Sequence, residues 1–408
     1  MDILIISQYF WPESFRINDL AEGLIARGHR VTVLTGKPNY PDGTFYPGYH
    51  FFNKNKESYG AISIIRAPLF PRGKNSKIRL ALNYISFAFF ASIVGIFRCK
   101  KADVIFVYEP SPITVGLPAI LFKKINKVPI LFWVQDLWPE SVVGVGAVTS
   151  KKILRWLEKL VRFIYKHCDY ILTTSKSFFA PIKSLGVPDE KLHYFPQTAE
   201  DFFKPHHDLA PEEEALLPKG FRIIFSGNIG IAQDVETILQ AATLLRSHQA
   251  IKWIFLGDGS KRKWLEHEIK IRQLEKTVYC LGQYPILRMP RFFACADALL
   301  VTLRKNPVYA MTIPGKVQAY LACAKPIIAA LDGEGRDVIE EAKAGMTTHS
   351  GDPETLADIS LAMYQLSPNE RIAMGQQGRQ YFDSHFQRDI LLQKLERWMN
   401  ELREKKPR

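Results

Sequence analysis

The feature that most constrains this chain is the repeated alternation of short apolar runs with helix-like segments. In the first half the runs lie at 2–8, 30–36, 61–67, 102–110, 128–136, 168–175 and 192–197. Nearly continuous apolar runs of this length are typical of strands buried on both faces of a parallel sheet. The alternation restarts at residue 221, with runs at 221–230, 251–259, 278–284, 296–303, 325–331 and 344–352. The pattern predicts an α/β protein with two doubly wound domains.

The rhythm breaks between the two halves, and the break sets the predicted domain boundaries. Residues 199–220 contain prolines, charges and paired histidines, which is typical of an interdomain linker. We therefore predict one Rossmann-like domain over 1–198 and another over 221–375, facing a central cleft. Residues 376–408 read as helical, and we expect them to pack back toward the N-terminal domain.

Charge is spread unevenly along the 408 residues. Residues 1–200 carry 26 Lys and Arg against 15 Asp and Glu, whereas residues 201–408 carry 28 against 26. A basic half suggests an anionic partner such as nucleic acid, a membrane surface or a phosphate-rich substrate, although solubility alone would also explain it. No aromatic-basic recognition motif occurs in the sequence, so we expect no nucleic-acid partner.

The cysteines and the N-terminus both favour a cytoplasmic protein. The five cysteines are scattered, without a C-x-x-C pair or a histidine at ligand spacing, and we expect reduced thiols and no metal site. The chain begins directly with a strand-like run, so we expect no secretory signal peptide.

Residues 80–97, LALNYISFAFFASIVGIF, form a segment without formal charge that basic residues bracket on both sides. Its length just reaches that of a transmembrane helix. A full span, however, would divide two strands of one sheet across a bilayer. One interpretation is a buried crossover helix. We favour an interfacial helix over 78–101, with its apolar side in lipid and its cations at anionic headgroups, which makes the protein peripheral on the cytoplasmic face of the inner membrane.

The first strand-to-helix turn, SQYFWPESFRINDL, lacks the G-x-G-x-x-G fingerprint of dinucleotide-binding enzymes, which argues against an oxidoreductase. Helix capping would explain Ser14 or Asn18. It does not explain Arg16, a cation near a helix start that could meet a phosphate.

Two turns of the second half have the residue types of a phosphate site. In SGNIGIAQD, Gly227 and Gly230 would let the backbone approach a ligand closely, although a tight structural turn is the alternative. In TIPGKVQAYLACAKPI, we expect Thr312 to cap a helix that Pro314 and Gly315 begin. A cation at Lys316, in the first turn, opposes the helix dipole unless an anion binds there.

Two carboxylates lie where predicted strands of the first half end. Glu109 and Asp136 would face the ligand crevice of an open α/β sheet, where a carboxylate can orient or deprotonate a substrate hydroxyl. Helix capping by Asp136 and a proline-led loop at Glu109 are the structural alternatives. Trp133 and Trp138 flank Asp136; we expect Trp133 to pack in the core, and the Trp138 ring could stack on a ligand.

The chain resembles glycosyltransferase family 4, with the GT-B architecture. Within that family it is similar to amino-deoxysugar transferases of bacterial surface-polysaccharide synthesis. The resemblance covers nearly the whole chain and rests on PESFRINDLAEGLIARGHRVTVLTG, EPSP, QDLWPES, SGNIGIAQDVETIL, FLGDGSKRKWLE, TIPGKVQAYLACAKPIIA and GDPETLA.

The resemblance implies a retaining, metal-independent transferase with no cofactor. It would use a nucleotide-sugar donor, expected to be a UDP-linked N-acetylated sugar, and a lipid-linked or saccharide acceptor. The catalytic residues would be Lys316, Asp136 and Glu109. The acceptor would meet Arg16, Asn18 and Trp138. The donor would meet Gly227, Asn228, Gly230, Gln233, Gly257, Asp258, Lys263, Gln283, Tyr284, Thr312, Pro314 and Gln318.

Several residues depart from the family pattern. Asn228 and Gln233 stand where many members have an arginine and a lysine. Met311 and Ala319 stand where many have two glutamates, and Gln318 is the candidate to replace the later one. Ala324 replaces a common glycine. Two alternatives stay open: a nucleotide-sugar epimerase or hydrolase on the same fold, and a non-catalytic nucleotide-sugar-binding subunit.

Overall fold

The computed structural model of the chain describes residues 1–74, 76–144, 150–206 and 210–405. These residues form two compact units. The first consists of Met1–Pro196 together with Leu392–Arg408, and the second of Gln197–Leu391. The chain therefore returns to its first unit after completing the second.

The first unit is built on an eight-stranded sheet. Its strands are β1 (Asp2–Ile6), β2 (Arg30–Thr35), β3 (Lys56–Tyr59), β4 (Ile62–Arg66), β5 (Val104–Glu109), β6 (Ile130–Val134), β7 (Tyr170–Thr173) and β8 (Leu192–Tyr194). Their order is β3-β4-β2-β1-β5-β6-β7-β8, and only the pair β3 and β4 is antiparallel. Each predicted run of the first half contains one strand. The edge strand β3, KESY, was not predicted because it has two charges and no apolar run.

The helices of the first unit cover both faces of this sheet. They are α1 (Arg16–Ala26), α2 (Lys77–Arg98), α3 (Gly116–Asn126), α4 (Glu140–Gly144), α5 (Lys151–His167) and α6 (Phe179–Ser184). Right-handed crossovers put α2, α3 and α5 on one face, because all three connect strands in the same direction across the sheet. Accordingly, α3 packs against α2 and against α5.

The second unit has a six-stranded, fully parallel sheet. Its strands are β9 (Phe221–Ser226), β10 (Ile251–Leu256), β11 (Val278–Gly282), β12 (Ala298–Thr302), β13 (Ile327–Ala330) and β14 (Gly345–Thr348), in the order β11-β10-β9-β12-β13-β14. Each predicted run of the second half contains one of them. The prediction of two doubly wound α/β domains is thus confirmed.

Short and long helices alternate with these strands. They are α7 (Pro211–Leu216), α8 (Val235–Leu244), α9 (Arg262–Ile271), α10 (Met289–Ala294), α11 (Pro307–Ala310), α12 (Gly315–Ala322), α13 (Glu334–Glu341), α14 (Pro353–Gln365), α15 (Pro368–His385) and α16 (Arg388–Glu404). The last of them, α16, runs from the second unit into the first.

The predicted linker, 199–220, belongs to the second unit. Ala199, Phe203 and Leu217 are buried in that unit's apolar core, and Phe203 stacks on Phe293. Residues 207–209 of the segment lie outside the described residues. The prolines and charges of this segment suggested a linker, but its apolar side chains pack in the core of the second unit.

The C-terminal helices divide between the two units. Within the second unit, α15 packs on α12, where the Arg379 guanidinium donates to the Ala322 carbonyl at 2.7 Å. The residues after Leu391 belong to the first unit. There the Glu396 carboxylate pairs with Arg27 at 2.8 Å and with His29 at 2.7 Å. The segment that joins the first unit is therefore shorter than the predicted 376–408.

Helix α2 buries one side and exposes an apolar one. The buried side carries Asn83, Phe87, Ala91 and Gly95, four residues apart. The other side exposes what we call the apolar stripe of α2: Ile78, Leu82, Ile85, Phe89, Ile93 and Phe97. By length and composition α2 could cross a membrane. Since its buried side packs on the sheet, the stripe instead runs along the surface of the unit.

Asn83 is a polar anchor on the buried side of α2. Its side-chain oxygen accepts from Gln8 Nε2 at 2.6 Å, and its Nδ2 donates to the Phe70 carbonyl at 2.6 Å and to Asn39 Oδ1 at 3.3 Å. A buried amide with this many partners fixes the position of the helix on the sheet, because each lost bond would leave a buried group unsatisfied.

We expect Asn83→Ala to lower the free energy of unfolding by about 2–4 kcal/mol, because Gln8 and the Phe70 carbonyl would lose their partner. Urea unfolding, followed by hydrogen exchange in peptides of the first unit, measures the change. Asn126→Ala is the matched control: this half-buried asparagine of α3 donates one bond, to Phe122. Equal losses in the two variants would contradict the anchoring role.

Candidate active site

In the second unit, α12 presents Lys316 beneath the carboxyl end of β9. The helix is fastened there by Tyr320, one turn further on, whose hydroxyl accepts from the Ser226 amide and donates to the Leu300 carbonyl, both at 3.3 Å. Tyr320 is fully buried, so the bonds also fix the orientation of the helix. The first turn of α12, with Lys316, is thereby held against the end of the strand.

The ammonium nitrogen of Lys316 is buried and has no hydrogen-bond partner among the described residues. It lies over the Phe225 ring, 3.5 Å from the ring centroid. Burial lowers the pKa of Lys316 to about 7. A buried amine without a partner is expensive in a folded protein, and such a group is a candidate to bind an anion.

Glycine at 227 makes room for this lysine. Gly227 has φ +120°, and a Cβ there would lie 3.0 Å from Lys316 Cε and 3.5 Å from Lys316 Nζ. The absence of a side chain at 227 therefore lets Lys316 pack directly against the turn after β9. A side chain at 227 would push the lysine away from this turn.

The turns after β9 and β10 pack tightly on each other. A Cβ on Gly257 would lie 1.8 Å from the Gly227 carbonyl oxygen, and one on Gly259 would lie 2.4 Å from the Ile229 oxygen. The amides of Gly227 and Ile229 donate to Leu256 and Asp258, both at 2.8 Å. Glycine at 257 and 259 thus has a structural cause. The amides of Asn228 and Gly230 donate to none of the residues that the structure describes, so they are free to donate to a ligand.

Two predicted donor-binding glutamines carry buried side-chain oxygens without a partner among the described residues. They are Gln233, in the short turn that follows Gly230, and Gln318, on α12. Gln233 lies next to the glycine turn: its Oε1 is 3.3 Å from where a Cβ on Gly230 would be. Unsatisfied amide oxygens accept hydrogen bonds, as a ribose or sugar hydroxyl would require.

The prediction that Thr312 caps α12 is wrong. The Thr312 hydroxyl donates to the Tyr309 carbonyl at 2.9 Å, and the residue at the cap is Pro314, which offers no side-chain hydrogen bond. The first amides of α12 thus receive no side-chain cap. They lie in the same helix turn as Lys316.

The other predicted donor-binding residues follow strand ends of the same sheet. Asp258 is exposed and accepts from the Gly259 amide at 2.7 Å. Lys263 and Gln283 are exposed, and Tyr284 packs on Phe292 with ring centroids 4.7 Å apart. Their position at the carboxyl edge is compatible with ligand contact, which stays a prediction.

The structure accounts for two departures from the family pattern. Ala319 is buried in the apolar core, so the position expected to hold a glutamate is here a packing position. Ala324 has φ +53°, a left-handed conformation that favours glycine. The strain at Ala324 explains why glycine is common at this position.

In the first unit, β5 ends at Glu109, whose side chain is fully buried. Neither carboxylate oxygen has a hydrogen-bond partner among the described residues. Burial raises the pKa of Glu109 well above its ordinary value, and the charge of Asp136 raises it further, while the nearby amide dipoles of Asp136, Gln135 and Ser111 oppose the shift. Glu109 therefore favours its protonated form.

Asp136 follows β6 and is partly exposed. Burial raises its pKa, and a hydrogen bond with the Ser111 side chain opposes that shift. Ser111 accepts from Trp138 Nε1 at 2.9 Å, which leaves the hydroxyl proton for Asp136. Trp138 is only 7% exposed, so its ring has little surface for a sugar and instead positions Ser111. The core role predicted for Trp133 is confirmed, since it is 3% exposed and donates to the Phe195 carbonyl.

The first loop of this unit is fixed by Asn18. Its Oδ1 accepts from the Trp11 amide at 3.2 Å and its Nδ2 donates to the Glu13 carbonyl at 2.8 Å. The suggestion that Ser14 or Asn18 caps the helix is wrong, because the cap residue is Phe15, without a side-chain bond. Arg16 is the first residue of α1 and lies near Tyr108. Burial raises the pKa of Tyr108, and the positive charge of Arg16 opposes that shift.

Sequence reasoning missed three residues around the two acids: Ser111, Tyr84 and Tyr165. Burial raises the pKa of Tyr84, which comes from α2, and the charges of Asp136 and Glu109 add to the shift. The Tyr165 hydroxyl of α5 is buried without a partner among the described residues. Both tyrosines lie inside helices, where no local sequence signal marks a functional residue. Ser111 lies in the EPSP motif, directly after the strand that ends at Glu109.

The described residues contain no group of three His, Cys, Asp or Glu side chains that could hold a metal ion. Cysteine thiols in this part of the chain are free.

Two family models match the chain. The model for Glycosyltransferase Family 4 matches residues 15–198, and the model for Glycosyl transferases group 1 matches residues 220–365. With the two doubly wound sheets, these matches define the class of protein, a glycosyltransferase with the GT-B fold. Within that class, the chain belongs to glycosyltransferase family 4.

Relatives and a solved structure agree with this assignment. The probable glycosyltransferase WbjE of Pseudomonas aeruginosa is 29% identical over 302 residues, 71% of this chain and 73% of that protein. The putative colanic acid biosynthesis glycosyl transferase WcaI of Escherichia coli K12 is 27% identical over 338 residues, covering 79% and 81%. Anabaena HepE in complex with UDP-glucose has the same fold, with a TM-score of 0.69, 14% identity and coverage of 98% and 100%.

We expect Lys316→Met to stabilise the free protein by about 2 kcal/mol at pH 7, because it removes a buried amine without a partner. The folded pKa of Lys316, about 7, is below its value in the unfolded chain, so the stability of the wild type rises with pH from about 7 toward 10.5. The gain from the substitution should therefore shrink between pH 7 and pH 10. Urea unfolding at the two pH values measures it, and a gain that grew with pH would contradict the assignment.

Proposed function

We propose that this glycosyltransferase moves a sugar from a UDP-linked donor to a lipid-linked or saccharide acceptor in the synthesis of a bacterial surface polysaccharide. Support comes from the relative named for colanic acid biosynthesis and from the HepE complexes with UDP and UDP-glucose. The N-acetylated donor sugar, retention of configuration and independence from metal and cofactor rest on the family resemblance and are part of the same proposal.

The observation that carries the proposal is the buried, unpartnered amine of Lys316 against the glycine turn after β9. When the bond between the sugar C1 and the diphosphate oxygen breaks, the departing UDP takes the electron pair and its negative charge. A preorganised cation in a water-poor site stabilises that charge more than water does. The pKa of about 7 means that much of the amine is neutral in the free protein, and a bound diphosphate would restore its proton.

The acceptor is assigned to the first unit through its two acids. Asp136 is partly exposed and would orient the attacking hydroxyl and receive its proton. Glu109, whose raised pKa favours the protonated form, keeps a second negative charge away from Asp136. Arg16, at the first residue of α1, would meet a phosphate of a lipid-linked acceptor.

We expect Lys316→Met to lower kcat/KM by about 100- to 1000-fold while the fold remains intact, because it removes the charge that stabilises the leaving diphosphate. A thermal-shift screen of UDP-sugars identifies the donor, and bacterial membrane lipid extract supplies the acceptor. UDP release is the readout. Calorimetry of UDP binding at pH 8.5, in buffers of different ionisation enthalpy, should show proton uptake in the wild type and none in the variant.

Lys325→Met is the matched control. Lys325 is a second lysine of this unit whose pKa burial lowers, but its ammonium donates to the Ala294 and Ala296 carbonyls at 2.7 and 2.9 Å. Whereas Lys316 lies at the carboxyl ends of the strands, Lys325 precedes β13 and so lies at their amino-terminal ends. Its loss should reduce stability and leave proton uptake on UDP binding intact. Normal turnover of Lys316→Met would overturn the proposal. Conversion of donor to free sugar without acceptor would favour a hydrolase or epimerase.

We further propose that the enzyme is cytoplasmic and binds the inner-membrane surface through 78–101. The apolar stripe of α2 faces solvent, with Phe97 81% and Ile78 75% exposed. No acidic residue occurs between 77 and 101, and cations lie at both ends of the helix. An apolar stripe between cations fits an in-plane helix at the boundary of anionic headgroups and acyl chains.

We expect the triple variant Ile85→Asn, Phe89→Asn and Phe97→Asn to reduce partition to phosphatidylglycerol-containing vesicles by at least about 100-fold, since each apolar side chain contributes about 1.5–3 kcal/mol when buried. Vesicle cosedimentation measures the effect. The control replaces three comparably exposed apolar residues of the second unit, Leu244→Asn, Ile271→Asn and Ile372→Asn. Unchanged binding of the stripe variant would refute contact through α2.

A further inference from the structure

Helix α5 has two different sides. Leu157, Val161, Ile164 and Tyr165 are buried toward the sheet. The opposite side carries exposed aromatic and aliphatic groups: Trp156 is 61%, Ile153 49% and Phe163 42% exposed. At helical spacing, the exposed cations Lys152, Arg155 and Lys159 line up with Trp156 and Phe163. The outer side of α5 thus mixes large apolar rings with positive charge.

The layer formed by α2, α3 and α5 has a high net positive charge because it contains almost no acidic residues. Between them the three helices hold eleven Lys and Arg and one acid, Glu158, for a net +10 out of +13 for all 408 residues. Glu158 is paired with Arg162 at 2.8 Å, and Lys123 of α3 with Asp169 at 2.5 Å. Positive charge is therefore concentrated on the same face of the sheet as the apolar stripe of α2.

We propose that α5 is a second membrane-contact element, which docks the α2–α3–α5 layer of the first unit flat on an anionic lipid bilayer. Lys152, Arg155 and Lys159 bind lipid phosphates, while Trp156 and Phe163 sit at headgroup level. This inference rests on the proposed membrane contact of α2 and extends it to an element outside 78–101.

Charge and exposure together identify the occupant as lipid. Tryptophan with Lys and Arg is typical of the bilayer interface, where an amphipathic ring lies between water and acyl chains and cations meet headgroup phosphates. Each Lys or Arg near an anionic leaflet contributes about 1 kcal/mol. The adjacent stripe of α2 has charges only at its ends, so it needs an apolar phase, which a nucleic acid or an acidic peptide does not offer.

Two membrane-contact helices fix the orientation of the first unit, which one helix cannot do. A unit held by α2 alone could roll about the helix axis, because a single in-plane helix fixes only its own depth and direction. A second helix in the same layer, separated from α2 by α3, removes that rotation. The carboxyl ends of β5 and β6, with Glu109 and Asp136, are then held at a constant height above the bilayer.

The test reverses the charges of α5 in the full-length protein with Lys152→Glu, Arg155→Glu and Lys159→Glu. We expect partition to mixed phosphatidylglycerol and phosphatidylcholine vesicles to fall by at least about 100-fold, from about 1 kcal/mol per cation. The control makes the same change in net charge on the second unit, with Lys219→Glu, Arg246→Glu and Lys270→Glu, all exposed. It should bind as the wild type does.

A second measurement locates Trp156 in the complex. Brominated acyl chains should quench tryptophan fluorescence in the wild type, and Trp156→Phe should remove most of that quenching although six of the seven tryptophans remain. Vesicle binding by the α5 charge variant equal to that of its control, or quenching that survives Trp156→Phe, would overturn the inference. If the wild type does not bind vesicles, or if this layer instead forms the interface of a dimer, both this inference and the proposed membrane contact of α2 are wrong. UDP release with a water-soluble acceptor stays unchanged in both charge variants and tests the transferase assignment separately.

Discussion

A parallel strand covered by helices on both faces has room for a polar side chain only at its ends, and this constraint organises the molecule. The central strands β5, β6 and β7 are buried at every position. Backbone hydrogen bonds occupy their interior, and apolar contacts occupy both faces. Chemistry is therefore displaced to the carboxyl edges, where Glu109 and Asp136 end strands of one sheet and the turn at Gly227 ends a strand of the other. The layer that protects the strands thus also decides where a ligand can bind.

At the carboxyl edge of each sheet lies an ionisable group whose pKa is shifted by burial. Burial lowers the pKa of Lys316 to about 7 and raises that of Glu109, so both groups are shifted toward their neutral states. Neither has a hydrogen-bond partner among the residues that the structure describes. The two groups differ in what would satisfy them: an anion for the amine, and a hydrogen-bond acceptor for the protonated acid. A free protein that carries such groups is less stable than its packing alone would allow, and we expect a ligand that pairs with them to offset that cost.

The sequence predicted the architecture well because burial leaves a pattern. Every apolar run contained a strand, since a doubly covered strand must be apolar throughout. Features that depend on contacts with residues distant in sequence could not be predicted. Edge strand β3 has no apolar run, and the segment 199–220 looked like a linker because its buried Phe203 stands among prolines and charges. Lys316 was identified from its conflict with the helix dipole, whereas its contact with Phe225 and the space left by Gly227 required the fold. Thr312 was misjudged because a threonine before a helix resembles a cap even when its hydroxyl turns back to Tyr309.

The return of the chain to its first unit has a consequence for the order of synthesis. Glu396 contacts Arg27 and His29 across more than 360 residues of sequence. While the second unit is being synthesised, the first unit exists without the part of α16 that belongs to it, although α2 has already been made. The unit is completed only after the second unit has left the ribosome. Closure of the first unit through the contacts of Glu396 therefore follows synthesis of the second unit, and until then Arg27 and His29 lack this partner.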